Sequence, residues 1–539
     1  MKPSLLNRRQ FITRLQETPE WDIIVIGGGA TGLGTALDAA SRGYKTLLLE
    51  GADFAKGTSS RSTKLVHGGV RYLAQGNIRL VLDALRERGR LLKNAAHLVR
   101  RQSFVIPCYG MFSKLKYLAG LTLYDWLSGR YSFGKSRLLG RKETAEKLPS
   151  IRTQKLSGGV EYFDGQFDDA RLTINLAQTI AEQGGTVINY CRVTGLLKEG
   201  GKVSGVAAFD TEAKQAYQLR AKAVVNATGI FVDDVLQMDS PGARPLVRPS
   251  QGAHVVVHGS SICNGSALMI PETSDGRVLF AIPWHNHLLV GTTDTPIDQH
   301  AQEPIPLKQE IDFILSTLRQ YINDAPGKKD ILSQFAGLRP LAASAGNQAT
   351  KEISRDHKLV ISPSGLITIT GGKWTTYRKM AEETMDKAIS VGALSPIPCK
   401  TKDLPLHGCT PEPVADHTSV HGRLIEDPLA VYGTDQTQVR QLIGKDASLG
   451  TRLVSALPYT EAEVVWAVRH EMARTVEDVL ARRIRLLFLD ARAAMQAAPR
   501  VAMLIAREEG YDESWQKEQV KSFLQLARNY LIADGEEKE

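Results

Sequence analysis

The 539-residue sequence predicts an α/β fold in three parts: a parallel sheet with crossover helices, a mostly antiparallel second domain and a helical C-terminal region. Residues 21–50 read as strand, glycine turn, helix and strand, which is a βαβ unit. Residues 245–295 contain short runs with a period of two, as antiparallel strands have. Residues 420–535 favour helices throughout, without a detectable repeat.

The βαβ unit carries the pattern G-x-G-x-x-G at Gly27, Gly29 and Gly32. The first glycine makes the tight turn, the second lets the backbone approach a pyrophosphate, and the third lets the helix lie close to the sheet. The helix N-terminus favours a phosphate, and Glu50 at the end of the second strand can accept hydrogen bonds from a ribose hydroxyl. The unit therefore predicts a dinucleotide site. Because Glu50 would repel a 2′-phosphate, NADP is excluded, and FAD and NAD stay open.

Composition limits the class of protein. The apolar fraction of 42% and the charged fraction of 23% are typical of a soluble globular protein. The net charge of +9 fits ordinary solubility, or attraction to an anionic substrate or membrane surface; a nucleic-acid partner is not expected. The five scattered cysteines lack a C-x-x-C pair, which argues against a zinc site or a disulfide framework and fits a reducing cytosol. No apolar run is long enough to predict a membrane-spanning helix.

The excess positive charge is concentrated in residues 101–142, which hold eight Lys or Arg and one acid. Among them lies the mostly apolar run LKYLAGLTLYDWL at 115–127. Two interpretations stay open: a helix at a membrane interface, or a core helix beneath a solvated basic rim. Residues 1–20 contain NRRQFI, which is similar to a twin-arginine signal, but no apolar segment follows. We interpret them as a basic N-terminal arm and leave their order open.

Four further segments predict local structure. Residues 51–72 combine small hydroxyl residues with two adjacent glycines, which indicates a loop running close to a ligand. Separate strands are expected at 216–219 and 223–226, the latter ending in Ala-Thr-Gly. His285 and His287 form an H-x-H pair, but at a hairpin tip without a third ligand nearby they predict solvated turn residues, and no metal site is expected. Five prolines at 395–413 predict a linker.

Taken together, the motifs resemble those of the FAD-dependent, quinone-linked glycerol-3-phosphate dehydrogenases. The matching segments occur in family order through residues 21–380: IIVIGGGATGLGTALDAASRG, TSSRSTKLVHGGVRYL, FDDARL, VVNATG, QGAHVVV, IPWHNHLLVGTTD, GLRPL, SRDH and TGGKWTTYRKMAE. The first is shared by many flavoproteins, whereas KLVHGGVRYL together with GGKWTTYRKMAE is narrow. The helical C-terminal region resembles the family's cap domain more weakly.

The resemblance implies a glucose-oxidase-like FAD-binding Rossmann domain with an inserted, mostly antiparallel β substrate domain and a C-terminal helical domain. The expected division is as follows: 1–20 arm; 21–80, 151–235 and 335–394 FAD-binding domain; 81–150 and 236–334 substrate domain with a membrane-facing segment; 395–419 linker; 420–539 helical cap. It further implies oxidation of sn-glycerol 3-phosphate to dihydroxyacetone phosphate by hydride transfer from C2 to flavin N5, with electrons passed to a membrane quinone. A cytoplasmic protein bound peripherally to the inner, anionic face of the cell membrane is then expected, and a homodimer is left open.

For FAD, the resemblance implies a site along the glycine turn, the loop that follows it, and two later turns. The expected cofactor-binding residues are Gly27, Gly29, Gly32, Glu50, Thr58, Ser59, Ser60, Lys64, His67, Gly68, Gly69, Val193, Ala227, Gly229, Gly371 and Gly372.

An alcohol releases hydride readily only when its hydroxyl proton is being removed, so the site needs a base and a cation near C2. From the residues alone His254 reads as a core histidine, but the family motif QGAHVVV makes it the expected base. Arg339 would stabilise negative charge on the C2 oxygen. The substrate phosphate would be bound by a set of cations and a tyrosine: Arg71, Tyr72, Arg355 and Lys373. Lys373, which follows two glycines, could instead contact the flavin.

Three alternatives remain. An oxygen-reducing glycerol-3-phosphate oxidase would share every motif named above. Another FAD-dependent amine or amino-acid oxidase would need a clamp for a carboxylate, which the Arg and Lys residues could supply. A non-catalytic membrane-docking or flavin-sensing protein would be expected to lack the base and cation positions, yet His254, Arg339 and Lys373 are present.

Overall fold

The structure is a computed structural model that describes residues 4–74, 76–259, 262–298, 300–342, 356–409 and 427–532. The side chains of Arg71 and Ala74 fall outside that description.

Fifteen α-helices and eighteen strands lie in these residues. The helices are α1 Arg8–Glu17, α2 Ala30–Arg42, α3 Val70–Ala74, α4 Ile78–Asn94, α5 Met111–Ser128, α6 Arg141–Lys147, α7 Asp169–Glu182, α8 Val232–Asp239, α9 Lys308–Tyr321, α10 Tyr377–Val391, α11 Gln436–Lys445, α12 Glu461–His470, α13 Leu486–Leu489, α14 Ala491–Glu509 and α15 Glu513–Arg528. The strands are β1 Trp21–Ile26, β2 Thr46–Leu49, β3 Leu65–Val66, β4 Val99–Cys108, β5 Arg137–Leu139, β6 Gly158–Phe167, β7 Thr186–Ile188, β8 Cys191–Glu199, β9 Lys202–Asp210, β10 Gln215–Asn226, β11 Val247–His258, β12 Ala267–Ile270, β13 Leu279–Trp284, β14 His287–Gly291, β15 Thr295–Pro296, β16 Ile331–Ala342, β17 His357–Ile361 and β18 Ile367–Gly371.

The first sheet has the strand order β17-β18-β10-β1-β2-β7. Its strands β18, β10, β1, β2 and β7 run parallel, and α2 packs against both α7 and α10. The two strands predicted at 216–219 and 223–226 are one continuous strand, β10. Its first part alternates exposed and buried residues where it pairs with β9, and its last four residues are all buried in the parallel sheet. A change of surroundings, not a break in the strand, explains the change in pattern.

The second sheet has ten strands in the order β15-β11-β14-β13-β12-β4-β6-β3, with β16 beside β11 and β5 beside β6. All pairings are antiparallel except β12 with β4. The expected division placed residues 158–167 and 335–342 in the FAD-binding domain, whereas β6 and β16 pair within the second sheet. Local periodicity identifies a strand but not its partner, so the sequence alone does not show which sheet these two strands join.

The C-terminal helices share a hydrophobic core with the second sheet. Val256, Trp284, Leu289 and Phe335 of that sheet cluster with buried residues from α12 to α15. The helical character predicted for this region is correct over the described residues 427–532. The region has a small hydrophobic cluster of its own, which includes Tyr432, Leu442 and Trp466, and it shares its larger cluster with the second sheet. Because the C-terminal helices pack directly on the second sheet, their side chains can contact residues of the loops beside that sheet.

The N-terminal arm and the apolar run 115–127 are both helical. The N-terminal arm forms α1, which buries Phe11 and Leu15, and Arg8 forms an ion pair with Asp210 at 3.0 Å. The apolar run 115–127 lies in α5, whose inner face is buried. Its outer face is nevertheless apolar. No helix in the described part of the chain is long and apolar enough to cross a membrane.

Candidate active site

The glycine turn connects β1 to α2 with very little space around its backbone. A Cβ atom on Gly32 would lie 1.9 Å from the carbonyl oxygen of Gly27, and one on Gly27 would lie 2.7 Å from that of Ala227. A Cβ on Gly29 would meet the Ser59 hydroxyl oxygen at 3.0 Å. Gly29 is the N-cap of α2, and as a glycine it has no side chain that could accept hydrogen bonds from the N–H groups of the first helical turn. This is the cradle that a pyrophosphate requires.

Glu50 stands just beyond β2, next to this turn. Its carboxylate accepts hydrogen bonds from the backbone N–H groups of Gly28 at 2.6 Å and Ala52 at 2.7 Å. Burial raises the pKa of the Glu50 carboxyl, and the two N–H groups counteract that effect. A carboxylate can accept about four hydrogen bonds, so two positions remain for ribose hydroxyls. The turn and the acid together fit the nucleotide half of FAD.

Residues 58–69 join the nucleotide turn to the second sheet. The Ser59 hydroxyl accepts a hydrogen bond from the Ala30 N–H at 2.9 Å, and the Thr58 hydroxyl donates to the carbonyl oxygen of Leu338 at 2.6 Å. Farther along, the N–H of His67 donates to the Thr375 hydroxyl at 3.1 Å. The loop therefore touches α2, β16 and the segment before α10, which is the position needed to lie along an extended cofactor.

The other expected cofactor residues lie on turns at the ends of strands. Ala227 follows β10 and donates its N–H to the Ile26 carbonyl oxygen at 2.9 Å. Gly229, Gly371 and Gly372 all adopt positive φ angles of 63°, 77° and 77°, which favour glycine. Val193, on β8, is buried. Further expected cofactor residues belong to the loop already described: Ser60, Lys64, Gly68 and Gly69.

His254 lies on β11 and is 2% exposed. Its Nε2 is 2.9 Å from the Thr63 hydroxyl oxygen, and its ring stacks on Phe335 with centroids 4.9 Å apart. Its Nδ1 is buried and has no hydrogen-bond partner among the described residues. Burial lowers the pKa of His254 well below its ordinary value, and the positive charges of Lys64 and Arg339 lower it further. The imidazole is therefore neutral and has one ring nitrogen available.

Arg339 lies on β16, opposite Ser250 of β11. Its guanidinium donates to the Thr292 hydroxyl at 3.0 Å, to the Thr293 carbonyl at 2.9 Å and to Asp294 at 3.2 Å. A Cβ atom on Gly252 would lie 2.2 Å from the Arg339 Nη2. Gly252 is two residues before His254 on β11, so its Cβ position points to the same face of the sheet as the His254 side chain. The Arg339 guanidinium and the His254 imidazole therefore lie on the same face of the second sheet.

The side chains of Lys373 and Tyr72 contact each other. The Lys373 Nζ lies 3.9 Å from the centre of the Tyr72 ring, which is a cation–π contact. A Cβ on Gly69 would lie 2.4 Å from that ring and 3.3 Å from the Lys373 Nζ. Arg355 lies outside the described residues, as does the side chain of Arg71.

Sequence reasoning missed several side chains that hold this site. Thr63, Asp169, Thr292 and Asp294 all occur in the quoted motifs but had no assigned role. Lys64, one of the expected cofactor residues, places its ammonium group 2.7 Å from the Asp169 carboxylate. The hydroxyl and acid residues of GTTD and FDDARL are visible in the sequence, but only the fold brings Thr292 and Asp294 to Arg339 and Asp169 to Lys64.

Solvated turn residues are expected at His285 and His287, but His287 is buried. His285 and Asn286 form the hairpin turn with φ angles of 46° and 65°, while His287 is buried and its Nδ1 lies 2.6 Å from the His285 carbonyl oxygen. His287 starts β14 and faces inward, which the two-residue turn dictates. Among the described residues no group of His, Cys, Asp and Glu side chains could hold a metal ion.

Comparison with known proteins defines the class. A family profile described as "FAD dependent oxidoreductase" matches residues 22–378, more than half of the chain. A second profile, described as the C-terminal domain of alpha-glycerophosphate oxidase, matches residues 399–516. The protein is thus an FAD-dependent oxidoreductase, in agreement with the cradle around the glycine turn.

Individual relatives narrow the class to a family. The chain is 41% identical over 97% of its length to the mitochondrial glycerol-3-phosphate dehydrogenase of Macaca fascicularis, and covers 76% of that protein. The glycerol-3-phosphate dehydrogenase of Bacillus halodurans, solved with FAD, superposes with a TM-score of 0.78 at 29% identity, covering 99% of this chain and 100% of that one. The L-alpha-glycerophosphate oxidase of Mycoplasma pneumoniae shares the fold, with a TM-score of 0.55 at 16% identity over 71% of this chain and 97% of that one. The chain belongs to the family of FAD-dependent glycerol-3-phosphate dehydrogenases.

Proposed function

We propose that the protein oxidises sn-glycerol 3-phosphate to dihydroxyacetone phosphate, with hydride transferred from C2 to flavin N5 and electrons passed to a membrane quinone. The observation that carries the proposal is the position of the neutral, buried His254, whose Nδ1 has no hydrogen-bond partner among the described residues. Its imidazole lies on the same face of the second sheet as the Arg339 guanidinium. A base next to a fixed cation is the arrangement that alcohol oxidation needs. Bound FAD supplies the hydride acceptor.

In this mechanism His254 takes the proton of the C2 hydroxyl as the carbonyl group forms. A neutral imidazole can accept that proton, whereas an imidazolium cannot. Removal of the proton increases negative charge on the C2 oxygen, which Arg339 stabilises. Because Thr292, Thr293 and Asp294 already hold the guanidinium, little reorganisation is required during the reaction.

For the substrate phosphate we propose a set of cations that includes Lys373, with Tyr72 beside it. The contact of the Lys373 ammonium with the Tyr72 ring supports a shared position for these two residues. Arg71 and Arg355 are proposed for the same group on the basis of the family motifs alone. If Arg355 binds phosphate, Arg355→Ala raises KM for sn-glycerol 3-phosphate but not for glycerol. An unchanged ratio of the two KM values removes Arg355 from the set.

We propose that the outer face of α5 contacts an anionic membrane, where a quinone would be reached. Phe112 is 84% exposed and Trp126 is 77% exposed, and Met111, Leu115 and Leu123 are exposed on the same helix. Lys116 is also exposed. Large apolar side chains near cations are typical of a helix lying in a membrane interface. The proposed location is the cytoplasmic face of the cell membrane.

Oxygen as electron acceptor is the second candidate function. The exposed face of α5 favours a membrane quinone, because an oxidase would not require it. Steady-state assays separate the two: a dehydrogenase reduces a water-soluble quinone analogue and forms little peroxide, while an oxidase forms peroxide stoichiometrically.

The first experiment is anaerobic bleaching of the bound flavin. The purified yellow protein should bleach rapidly with sn-glycerol 3-phosphate but not with glycerol or an amino acid, because only the phosphate ester satisfies both the base and the cations. Bleaching by an amino acid would favour the amino-acid oxidase alternative. A yellow protein that none of these compounds bleaches would contradict the proposed substrate while leaving the fold intact.

A further inference from the structure

We propose that Glu310, in the first turn of α9, is a positioning residue for Arg339, because its carboxylate holds the two residues whose carbonyl oxygens fix the Arg339 guanidinium. The inference rests on the proposed function, since it takes Arg339 as the cation that stabilises charge on the C2 oxygen. Glu310 lies between the motifs IPWHNHLLVGTTD and GLRPL and outside both of them.

The Glu310 side chain is 2% exposed, and its carboxylate accepts four hydrogen bonds. Its Oε1 accepts from the hydroxyl groups of Thr293 and Thr295, both at 2.7 Å. Its Oε2 accepts from the side-chain amide of Gln251 at 2.7 Å and from the backbone N–H of Leu307 at 2.9 Å. A carboxylate can accept about four hydrogen bonds, so the acceptor capacity of Glu310 is fully used.

Two of these donors also hold Arg339. The guanidinium donates to the carbonyl oxygen of Thr293 at 2.9 Å and to that of Gln251 at 3.3 Å. The side chains of the same two residues donate to Glu310. A single residue therefore joins the carboxylate to the guanidinium along each of two routes, and both acceptor carbonyls depend on Glu310 for their position.

The Thr293 hydroxyl has a second contact, which reaches the strand of the candidate base. It accepts a hydrogen bond from the N–H of Ala253 at 2.8 Å while it donates to Glu310. Ala253 precedes His254 on β11, and α9 packs against that strand. Glu310 thus connects α9, β11 and the segment between β14 and β15 that surrounds the guanidinium.

Replacement of Glu310 by glutamine tests the carboxylate with almost no change of shape. A carboxamide has one oxygen and one NH₂ group, so on one side a donor would face donors and hydrogen bonds would be lost. The carbonyl oxygens of Thr293 and Gln251 would then be held less firmly, and Arg339 with them. Because Arg339 acts on charge that develops during the reaction, the loss should fall on the rate of hydride transfer more than on substrate binding.

The test is anaerobic stopped-flow reduction of the bound flavin in the holoenzyme by increasing concentrations of sn-glycerol 3-phosphate. For Glu310→Gln we expect a maximum rate about tenfold or more below that of the wild type, with little change in the concentration that gives half of that rate. Substrate with deuterium at C2 should be oxidised more slowly, which shows that the hydride step is measured. An unchanged maximum rate would overturn the proposal.

A double-mutant cycle separates positioning from general stability. When Arg339→Ala has already removed the guanidinium, adding Glu310→Gln should bring no further loss of rate, because Glu310 acts through that group. Losses that multiply would mean that Glu310 contributes independently of Arg339, and would overturn the proposal.

Glu463→Gln is the matched control. Glu463 is also a buried glutamate in the first turn of a helix, α12, where its carboxylate accepts a hydrogen bond from the N–H of Thr460 at 2.7 Å. It belongs to the C-terminal region, so its substitution should leave the rate of flavin reduction unchanged. Equal losses in Glu463→Gln and Glu310→Gln would show a general effect of helix stability and contradict the proposal.

If Glu310→Gln does not retain FAD, Thr293→Val and Thr295→Val decide. Each removes one hydroxyl that donates to Glu310, but of the two only Thr293 also provides a carbonyl oxygen for Arg339. Slower flavin reduction in Thr293→Val alone supports the proposal, and equal losses in the two variants overturn it.

The Arg339→Ala variant keeps the inference separate from the function on which it rests. If it reduces flavin as fast as the wild type, the cation assigned to the C2 oxygen is wrong and the role of Glu310 fails with it. If Arg339→Ala is slow while Glu310→Gln has the wild-type rate, only the role of Glu310 fails.

Discussion

At the scale of single residues, the surroundings of each group decide its chemistry. His254 and His407 have the same side chain but opposite behaviour. Burial beside two cations keeps His254 neutral, whereas two carboxylates hold His407 protonated. A histidine in a sequence is thus a candidate for several roles, and neighbouring charges select one of them.

The glycine turn allows a prediction that separates folding from cofactor binding. Gly32→Ala should destabilise the FAD-free protein, because its Cβ would lie 1.9 Å from a backbone oxygen. Gly29→Ala should leave the FAD-free protein nearly as stable, since its Cβ meets only a hydroxyl oxygen at 3.0 Å, but should weaken FAD binding about tenfold or more by blocking the pyrophosphate.

Thermal unfolding of the FAD-free proteins and fluorescence titration with FAD measure the two effects. Gly43→Ala, at the end of α2, is a control for backbone strain alone, because a Cβ there meets nothing within 4 Å but φ is 96°. If Gly29→Ala binds FAD as the wild type does, the turn is not the pyrophosphate site.

At the scale of secondary-structure elements, α5 has two apolar faces. The inner face buries Leu121 and Tyr124, while the outer face exposes Phe112 and Trp126. We expect Phe112→Asp with Trp126→Asp to reduce binding to anionic vesicles by about two orders of magnitude, because each side chain contributes on the order of 1.5–3 kcal/mol when buried in lipid. Co-sedimentation with phosphatidylglycerol vesicles at low salt measures this.

Ile361→Asp provides the matched control for α5. Ile361 is exposed on β17 and is not part of α5, so its substitution should leave vesicle binding unchanged. Wild-type protein that fails to sediment with these vesicles would contradict the membrane proposal, and equal losses in both variants would show that α5 is not the contact.

His407 links three parts of the chain and predicts a pH dependence of stability. Its Nδ1 lies 2.7 Å from Glu182 of α7, and its Nε2 lies 2.7 Å from Asp435. Burial lowers its pKa, but the two carboxylates outweigh burial and raise the pKa to about 9. Because the folded pKa exceeds the unfolded value of about 6.5, the stabilisation is complete below pH 6.5 and is lost as pH rises through 9.

His407→Gln should therefore lose up to about 3 kcal/mol of stability at pH 6, from the difference between the two pKa values, and progressively less towards pH 9.5. Denaturation curves of both proteins across that range measure the difference. A difference between His407→Gln and wild type that does not change with pH would mean that the histidine contributes by packing alone.

At the scale of the whole molecule, the C-terminal region supplies buried cations to the FAD-binding part. Arg482 and Arg483 both donate to the carboxylate of Asp53, at 2.5 Å and 2.8 Å, and Asp53 is fully buried three residues after Glu50. These two arginines hold the pKa of Asp53 at about 2 although burial raises it. The helical region is therefore part of the support for the cofactor loop.

Asp53→Asn should destabilise the protein by about 3 kcal/mol, because it removes the carboxylate that the buried Arg483 pairs with most closely. Arg482 keeps its ion pairs with Glu477 and Asp478. Urea denaturation followed by flavin fluorescence measures this, and loss of FAD should coincide with unfolding of the C-terminal helices. Glu212→Gln is the control, since Glu212 pairs with Arg474 across the same two regions but is partly exposed. FAD release well before helix unfolding would indicate that the two regions are independent.

Much of the fold was predictable because it follows from short-range patterns. The βαβ unit lies where the sequence predicts it, and antiparallel strands occur within residues 245–295 as the period of two predicts. The candidate base and the cation near it were found only through family motifs. The sequence does not predict the cluster of Lys64, Asp169 and Arg485, since even the nearest two of its members are 105 positions apart in the chain.

By itself, the sequence determined the dinucleotide-binding turn, the helical C-terminal region and the family, because each follows from runs of residues with a characteristic spacing. The tertiary structure alone decided that β6 and β16 join the second sheet, that His254 faces Thr63, and that Arg485 reaches the site from the C-terminal region. These depend on which distant surfaces pack together. Periodicity shows that a face is buried, but the partner that buries it, and the charges which that partner brings, are properties of the folded chain.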